Sequence, residues 1–197
     1  MKSFDSLSLL EQLQADTRQL IATATFLKNE DPSILLEQPG AGRWSVIQVL
    51  EHLNSYGVYY LPALKNGLMN GDAAVNIFRS GWLGNYFTQL MLPKEGRVKN
   101  KMKAPKDHRP AFHVDAQPVI ETFLQQQHQL LELLELAKQK NIGIRIPTSL
   151  TKLIRLKAGD TFRFFIAHEQ RHFVQIENTL AEVRNTTGKF QVAHQAG

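Results

Sequence analysis

Apolar residues recur at intervals of three and four along four long stretches of this chain, a spacing typical of amphipathic helices. In the first stretch, for example, Leu13 and Leu20 lie on one helical face. Segments rich in proline, glycine and charged residues separate the stretches. The predicted long helices cover residues 4–28, a segment that begins after Ser45, Pro118 to about Lys140, and about Asp160 to Arg184.

The start of the second helix is the best marked boundary. Ser45 is followed three residues later by Gln48, the pattern of a capping box, in which each side chain satisfies a free backbone N–H group near the other. Pro62 predicts a kink within this helix, and Gly67 or Gly71 predicts its end.

The segments between the long helices are expected to be mostly irregular. Residues 29–44 and 93–116 are predicted connections, and residues 76–92 predict a shorter helix weakened by two glycines. The β-like run at 142–147 is too short to found a sheet, and the last dozen residues are expected to form a tail. The pattern therefore predicts an all-α four-helix bundle with a long crossover between its second and third helices.

Composition narrows the class of protein. The chain has 197 residues, 43% apolar and 21% charged, which is ordinary for a globular protein. No shift in composition marks a boundary, so we expect a single domain over 1–197 with its core at about 5–185. The absence of cysteine excludes disulfides, cysteine-bound zinc or iron–sulfur clusters, and a cysteine nucleophile, and it fits a reducing compartment.

Charge and hydropathy give expectations about location and partners. The net charge of 23 − 18 = +5 does not by itself indicate nucleic acid, because the charge must first be shown to cluster. No apolar run approaches the ~18 residues of a membrane span, and the N-terminal residues lack the apolar core of a signal peptide. We expect a cytoplasmic protein without a membrane or nucleic-acid partner.

The strongest chemical signal is the HExxH string from His168 to His172. Histidines four residues apart lie on one helix face and can share a metal ion. On a helical wheel both lie at the flank of the apolar stripe of the fourth helix, and His52 occupies the same kind of position on the second. Flanks of neighbouring helices meet in a bundle, where metal sites of helical bundles are built.

Each part of this pattern has a second explanation. A lone histidine such as His52 is more often a core or surface residue than a ligand. The spacing of His168 and His172 alone favours metal binding and its absence equally. The joint placement of all three favours metal. An HExxH zinc protease, with Glu169 as general base, is disfavoured because the positions where the extended motif needs glycine and histidine hold Gln175 and Asn178. The other four histidines are expected not to bind metal: His108, His113, His128 and His194.

Three segments together resemble the DinB/YfiT-like metalloenzymes. They are Trp44–Leu53, with tryptophan and serine eight and seven residues before His52, the lysine- and proline-rich Lys103–Lys106, and Ala167–Ile176, with its H-x-x-x-H-x-x-Q-I pattern. The resemblance covers about residues 5–185. It implies an up-up-down-down bundle, a metal ion bound by His52, His168 and His172, and a homodimer. Family members with assigned activities include thiol S-transferases and a maleylpyruvate isomerase, and others are described as metal-dependent hydrolases.

The resemblance and the donor set together predict an open metal site. Three neutral imidazoles leave one divalent ion, Zn²⁺ or Ni²⁺, with positions for water or substrate, which is the catalytic pattern. The expected activity is either thiol S-transfer or hydrolysis, and the expected partner is a small-molecule substrate. For S-transfer the candidate is a low-molecular-weight thiol. The alternative is a metal-binding or stress-response bundle without catalysis.

Two further features of the sequence, Glu169 and segment 94–109, each allow two interpretations. Glu169 is either a general base or a carboxylate that supports the site, paired with a basic group. Segment 94–109 holds seven Lys and Arg and two acids; it is either a solvated loop or a cationic rim that attracts an anionic substrate.

Overall fold

The structure is a computed structural model that describes residues 2–94, 102–149, 151 and 153–195, with side chains as far as residue 186. Helices dominate it. A single 3₁₀ turn at Lys106–His108 interrupts the connection between the second and third long helices. The helices are α1 (Ser6–Leu27), α2 (Pro32–Leu36), α3 (Val46–Met69), α4 (Trp82–Met91), α5 (Ala116–Ala137) and α6 (Ala158–Gln195).

The four long helices α1, α3, α5 and α6 form the predicted bundle. Each packs against two neighbours, in the order α6, α1, α5, α3 around the bundle. Their meeting faces carry the aliphatic and aromatic core, in which Leu50, Phe123 and Phe162 are fully buried. Burial of this apolar surface is the main favourable contribution to folding.

Ion pairs show the directions of the helices. Glu30, just after α1, pairs with Arg184 near the described end of α6, and Arg43, just before α3, pairs with Glu182. So α1 ends and α3 begins at the same end of the bundle. At the other end, Arg163 of α6 lies 4.5 Å from the ring of Phe4, just before α1. Helices α1 and α6 are therefore parallel, and α3 runs against both.

Helices α3 and α5 are parallel, which explains the long crossover. Asn54 donates to the carbonyl of Val119 early in α5, and Lys140, just after α5, donates to the carbonyl of Gly71, just after α3. Around the bundle the helices run up (α6), up (α1), down (α5) and down (α3), whereas along the chain the order is up, down, down, up. A parallel neighbour cannot be reached by a tight turn, so the chain returns along the bundle between α3 and α5.

The capping box at the start of α3 is confirmed. The Ser45 hydroxyl accepts from the Gln48 backbone N–H, and the Gln48 side chain accepts from the Ser45 backbone N–H. Helix α3 continues through Pro62 and past Gly67 to Met69. The capping box thus determines where α3 begins, and with it the face of the helix on which His52 lies.

The structure corrects four predictions about the connections. A short helix, α2, forms within the predicted loop 29–44. Residues 76–92 begin as strand β2 (Ile77–Arg79), which pairs with β1 (Ser3–Asp5), and only then enter α4. The run at 142–147 contributes β3 (Arg145–Pro147), paired with β4 (Arg155–Lys157). The predicted tail is helical, because α6 continues to Gln195. The strands were not predicted because three residues are too few to show a periodic pattern. The tail is helical because no proline interrupts α6.

A buried polar network fixes α4 against the start of α6. The Asp160 carboxylate accepts from the Ser80 hydroxyl at 2.5 Å and from the Gly81 backbone N–H at 2.7 Å, at the start of α4. Arg163 donates to both Ser80 and Asp160. Gly84 then packs directly on Asp160: a Cβ placed there would lie 2.4 Å from the Asp160 Cβ. The packing therefore leaves no room for a side chain at position 84.

Gly84→Ala is expected to lower the free energy of unfolding by about 1–3 kcal/mol, because the added methyl group forces α4 away from Asp160. Chemical denaturation measures this. The control is Gln89→Ala, at an exposed position of the same helix, which should leave stability nearly unchanged. Equal stability of Gly84→Ala and the wild type would contradict the packing described for α4.

Candidate metal centre

Three histidines from two antiparallel helices meet in the bundle. His52 comes from α3, and His168 and His172 come from successive turns of α6. One ring nitrogen of each lies within 4.8 Å of the others, and together they form a group that could hold a metal ion within the described part of the chain. The Nε2 atoms of His168 and His172 are 3.1 Å apart. The structure thus brings together the three residues that the sequence selected.

The spacing of the two α6 nitrogens fits a divalent ion. Two imidazole ligands about 2.0–2.1 Å from a tetrahedral zinc ion lie roughly 3.3 Å apart, close to the observed separation of the two Nε2 atoms of α6. Two uncharged nitrogens facing each other gain one hydrogen bond at most. A shared cation would satisfy both lone pairs at once.

Hydrogen bonds at Nδ1 direct two of the rings. His52 Nδ1 lies 2.6 Å from the backbone carbonyl oxygen of His108. A carbonyl oxygen only accepts, so His52 carries its proton on Nδ1 and leaves the Nε2 lone pair free. His172 Nδ1 lies 2.9 Å from the side-chain oxygen of Gln175, which selects the same tautomer. Backbone and amide acceptors behind metal-binding imidazoles commonly serve this purpose.

Burial keeps all three imidazoles neutral. Desolvation lowers the pKa of His52 to about 4 and that of His172 to about 3. The pKa of His168 is also lowered, by burial first and then by its histidine neighbours. Its Nδ1 atom is buried and has no hydrogen-bond partner among the described residues. Because metal ions bind the neutral ring, the rings need not lose protons to bind a metal at neutral pH.

The aromatic side chains of Tyr56 and Trp44 pack against the histidine rings. The Tyr56 ring lies 4.5 Å from the His168 ring and 5.1 Å from the His52 ring, and Trp44 lies 5.1 Å from His52. His52 and His168 are buried, whereas His172 is partly exposed. The cluster therefore reaches solvent on the side of His172. Burial also raises the pKa of Tyr56 to about 12, so its hydroxyl stays protonated at neutral pH.

Glu169 points away from this cluster into the bundle core. It is 1% exposed, and one of its oxygens accepts from the Gln127 side chain of α5 at 2.6 Å. Its other oxygen is buried and finds no hydrogen-bond partner in the part of the chain that the structure describes. Burial raises the pKa of its carboxyl group to about 8. The basic partner expected for this carboxylate is therefore replaced by a neutral amide.

The connection before α5 supplies a residue that sequence reasoning missed. His108, which was expected only not to bind metal, is 7% exposed and stacks on Tyr56 with 3.8 Å between ring centroids. It does not join the three-histidine group, but its carbonyl holds His52. Helical spacing gives no signal for it, since it lies outside the long helices. His113 and His128 are exposed, and the side chain of His194 lies outside the described residues.

The basic segment 94–109 is only partly described. Residues 95–101 lie outside the described residues, while Lys103, Lys106 and Arg109 are exposed next to His108. The prediction of a cationic rim thus stays a prediction. Across the described ranges, no helix is both long enough and apolar enough to cross a membrane.

Comparisons with known proteins identify the family of this chain. The family model described as the DinB superfamily matches residues 9–176. A similar solved structure is that of YfiT from Bacillus subtilis, described as a probable metal-dependent hydrolase with an unusual four-helix bundle topology. The match covers 93% of this chain and 86% of that chain, with 15% sequence identity and a TM-score of 0.48. No curated protein matches the chain significantly.

The metal-free protein is expected to lose stability as pH falls. The pKa values of His52 and His172 lie below the ordinary value of 6.5, so below pH 6.5 these two residues bind protons in the unfolded chain and not in the folded one. Between pH 6.5 and 5 each such group should reduce the free energy of unfolding by about 2 kcal/mol. Denaturation of chelator-treated protein across this range measures the slope.

Two variants test this origin of the pH dependence. His172→Gln should shrink the loss by about 2 kcal/mol, whereas His128→Gln, at an exposed position of α5, should keep the wild-type profile. An identical pH profile for His172→Gln and the wild type would show that His172 is not held neutral by burial.

Proposed function

The chain belongs to the DinB superfamily, and we propose that it is a metal-dependent enzyme that acts on a small molecule, by thiol S-transfer or by hydrolysis. One observation carries the proposal. Three neutral imidazole nitrogens, from His52, His168 and His172, lie within 4.8 Å of one another. They leave a divalent ion with at least one position for water or substrate, as in catalytic rather than structural zinc sites.

The protein contributes ligands, orientation and partial exclusion of water. Gln175 and the carbonyl of His108 fix two ligand rings, and Tyr56 and Trp44 form an apolar wall beside them. When bound, a Zn²⁺ or Ni²⁺ ion supplies Lewis acidity, which lowers the pKa of a coordinated water or thiol. The partly exposed His172 side is the approach for a substrate.

Glu169 fits a supporting role better than that of a general base. Its contact with Gln127 turns it toward the core, and a carboxyl group with a pKa of about 8 is mostly protonated at neutral pH. A neutral carboxylic acid holds α6 to α5 without a buried charge. A general base would instead need to reach a proton on the substrate side.

The second candidate is a metal-binding bundle without catalysis. The burial of His52 and His168 favours it, because access to the metal is then limited to one side. A homodimer is a further part of the proposal, and it is supported by the resemblance to the family. A cytoplasmic location is another part, supported by the cysteine-free composition, which fits a reducing compartment.

We expect the purified protein to bind about one divalent ion per chain. Elemental analysis after metal loading and desalting measures the ratio. His52→Ala should lose most of the metal because two histidines from one helix remain, and the matched control His128→Ala should retain it. Equal metal content in the wild type and His52→Ala would refute the site.

Chelation separates the catalytic from the structural interpretation. Because a core of this size does not require a metal, the chelated protein should keep its helical circular dichroism while losing any conjugation of a low-molecular-weight thiol to an electrophile. Ester and amide hydrolysis are tested in parallel. Global unfolding on chelation would instead make the ion part of the folding equilibrium.

Glu169→Gln tests the role of the buried carboxyl group. A raised carboxyl pKa contributes stability that is present below its ordinary value of 4.5 and is lost as pH rises through about 8. The amide cannot ionise, so the variant should become more stable than the wild type by more than about 1 kcal/mol at pH 8. Its metal content should be unchanged. A loss of activity of 100-fold or more at full metal content would assign Glu169 the role of base.

A further inference from the structure

We propose that His108 is a positioning residue of the metal centre, and that its side chain and Ser55 hold the carbonyl group that orients His52. This inference rests on the proposed metal site and adds to it a residue from the crossover. It follows from a closed set of hydrogen bonds among three residues: His52, Ser55 and His108.

The first bond runs from α3 to the crossover. His52 Nδ1–H donates to the His108 carbonyl oxygen at 2.6 Å. This bond decides which nitrogen of His52 faces the other two histidines. A shift of the carbonyl would let the ring rotate or change tautomer.

The second bond lies within α3, and the third returns from the crossover to that helix. The Ser55 hydroxyl donates to the His52 carbonyl oxygen at 2.6 Å, so its oxygen remains as an acceptor. His108 Nδ1 lies 2.9 Å from that oxygen and is therefore the donor. The two histidines thus bind each other reciprocally, one directly and the other through Ser55.

Packing fixes the His108 side chain in this position. Its ring stacks on Tyr56 with an interplanar angle of 20°, and it is nearly inaccessible to solvent. Its neighbours Lys106, Asp107 and Arg109 are exposed, so His108 is the anchor of this turn.

The anchoring role predicts which side chains can replace His108. An asparagine amide can donate from nearly the position of Nδ1, whereas leucine has almost the same shape and no donor. His108→Asn and His108→Leu therefore differ mainly in the bond to Ser55. Ser55→Ala removes the same bond from the other side, and His113→Leu, at an exposed position in the same connection, serves as control.

The experiment measures Co²⁺ affinity by competition with a chelator, together with the visible absorption of the bound Co²⁺. Loss of an outer hydrogen bond to a ligand typically costs 10–100-fold in metal affinity. His108→Leu and Ser55→Ala should show a loss in this range and an altered Co²⁺ spectrum. His108→Asn should stay within a few-fold of the wild type, and His113→Leu should match it.

The outcomes separate this inference from the proposed function. If wild-type protein binds Co²⁺ and His52→Ala does not, the metal site stands, and unchanged affinity and spectrum in His108→Leu and Ser55→Ala would overturn the role of His108. Equal losses in His108→Asn and His108→Leu would also overturn it, because the donor would then be irrelevant. Equal Co²⁺ binding by wild type and His52→Ala would refute the metal site itself. If His108→Leu fails to fold, Ser55→Ala alone decides.

Discussion

The neutrality of three imidazoles, two buried and one partly exposed, is the constraint on which this structure depends. A histidine in water takes up a proton near pH 6.5, but His52, His168 and His172 lie where a charged ring would lose most of its hydration. The folded protein therefore holds the three rings in their neutral form and places their free lone pairs against one another. It also supplies acceptors for two of the three remaining ring N–H groups. Such an arrangement is unfavourable for a protein core alone and favourable for a divalent cation.

Helix direction makes the arrangement possible. Because α3 and α6 are antiparallel neighbours, one histidine of α3 faces two successive turns of α6. Because α3 and α5 are parallel, the chain must travel back along the bundle before α5 begins. That return passes beside the histidines and brings His108 to them. The crossover is thus both a topological necessity and the source of an acceptor that no long helix provides.

The sequence predicted what periodic patterns and spacing encode. The four long helices, the capping box at Ser45 and the three histidines were all visible as repeats or short motifs. The three-residue strands were missed because pairing between distant segments leaves no local pattern. His108 was missed for a related reason, since its importance lies in a backbone carbonyl whose position is set by tertiary contacts. The partner of Glu169 was predicted as a basic group and is the Gln127 amide, because the burial that excludes charge was not known.

The reciprocal contact between His52 and His108 has a consequence for the order of folding. The contact closes a loop of 56 residues, and joining α6 to it requires closure of a second segment of similar length. Contacts so distant in sequence cost chain entropy before they return any stability, so they tend to form after local helices. A complete ligand set therefore marks a chain that has finished assembling. A cation that binds only this state adds stability that grows with the logarithm of its concentration, so metal uptake reports the completed assembly of a fold that also forms without it.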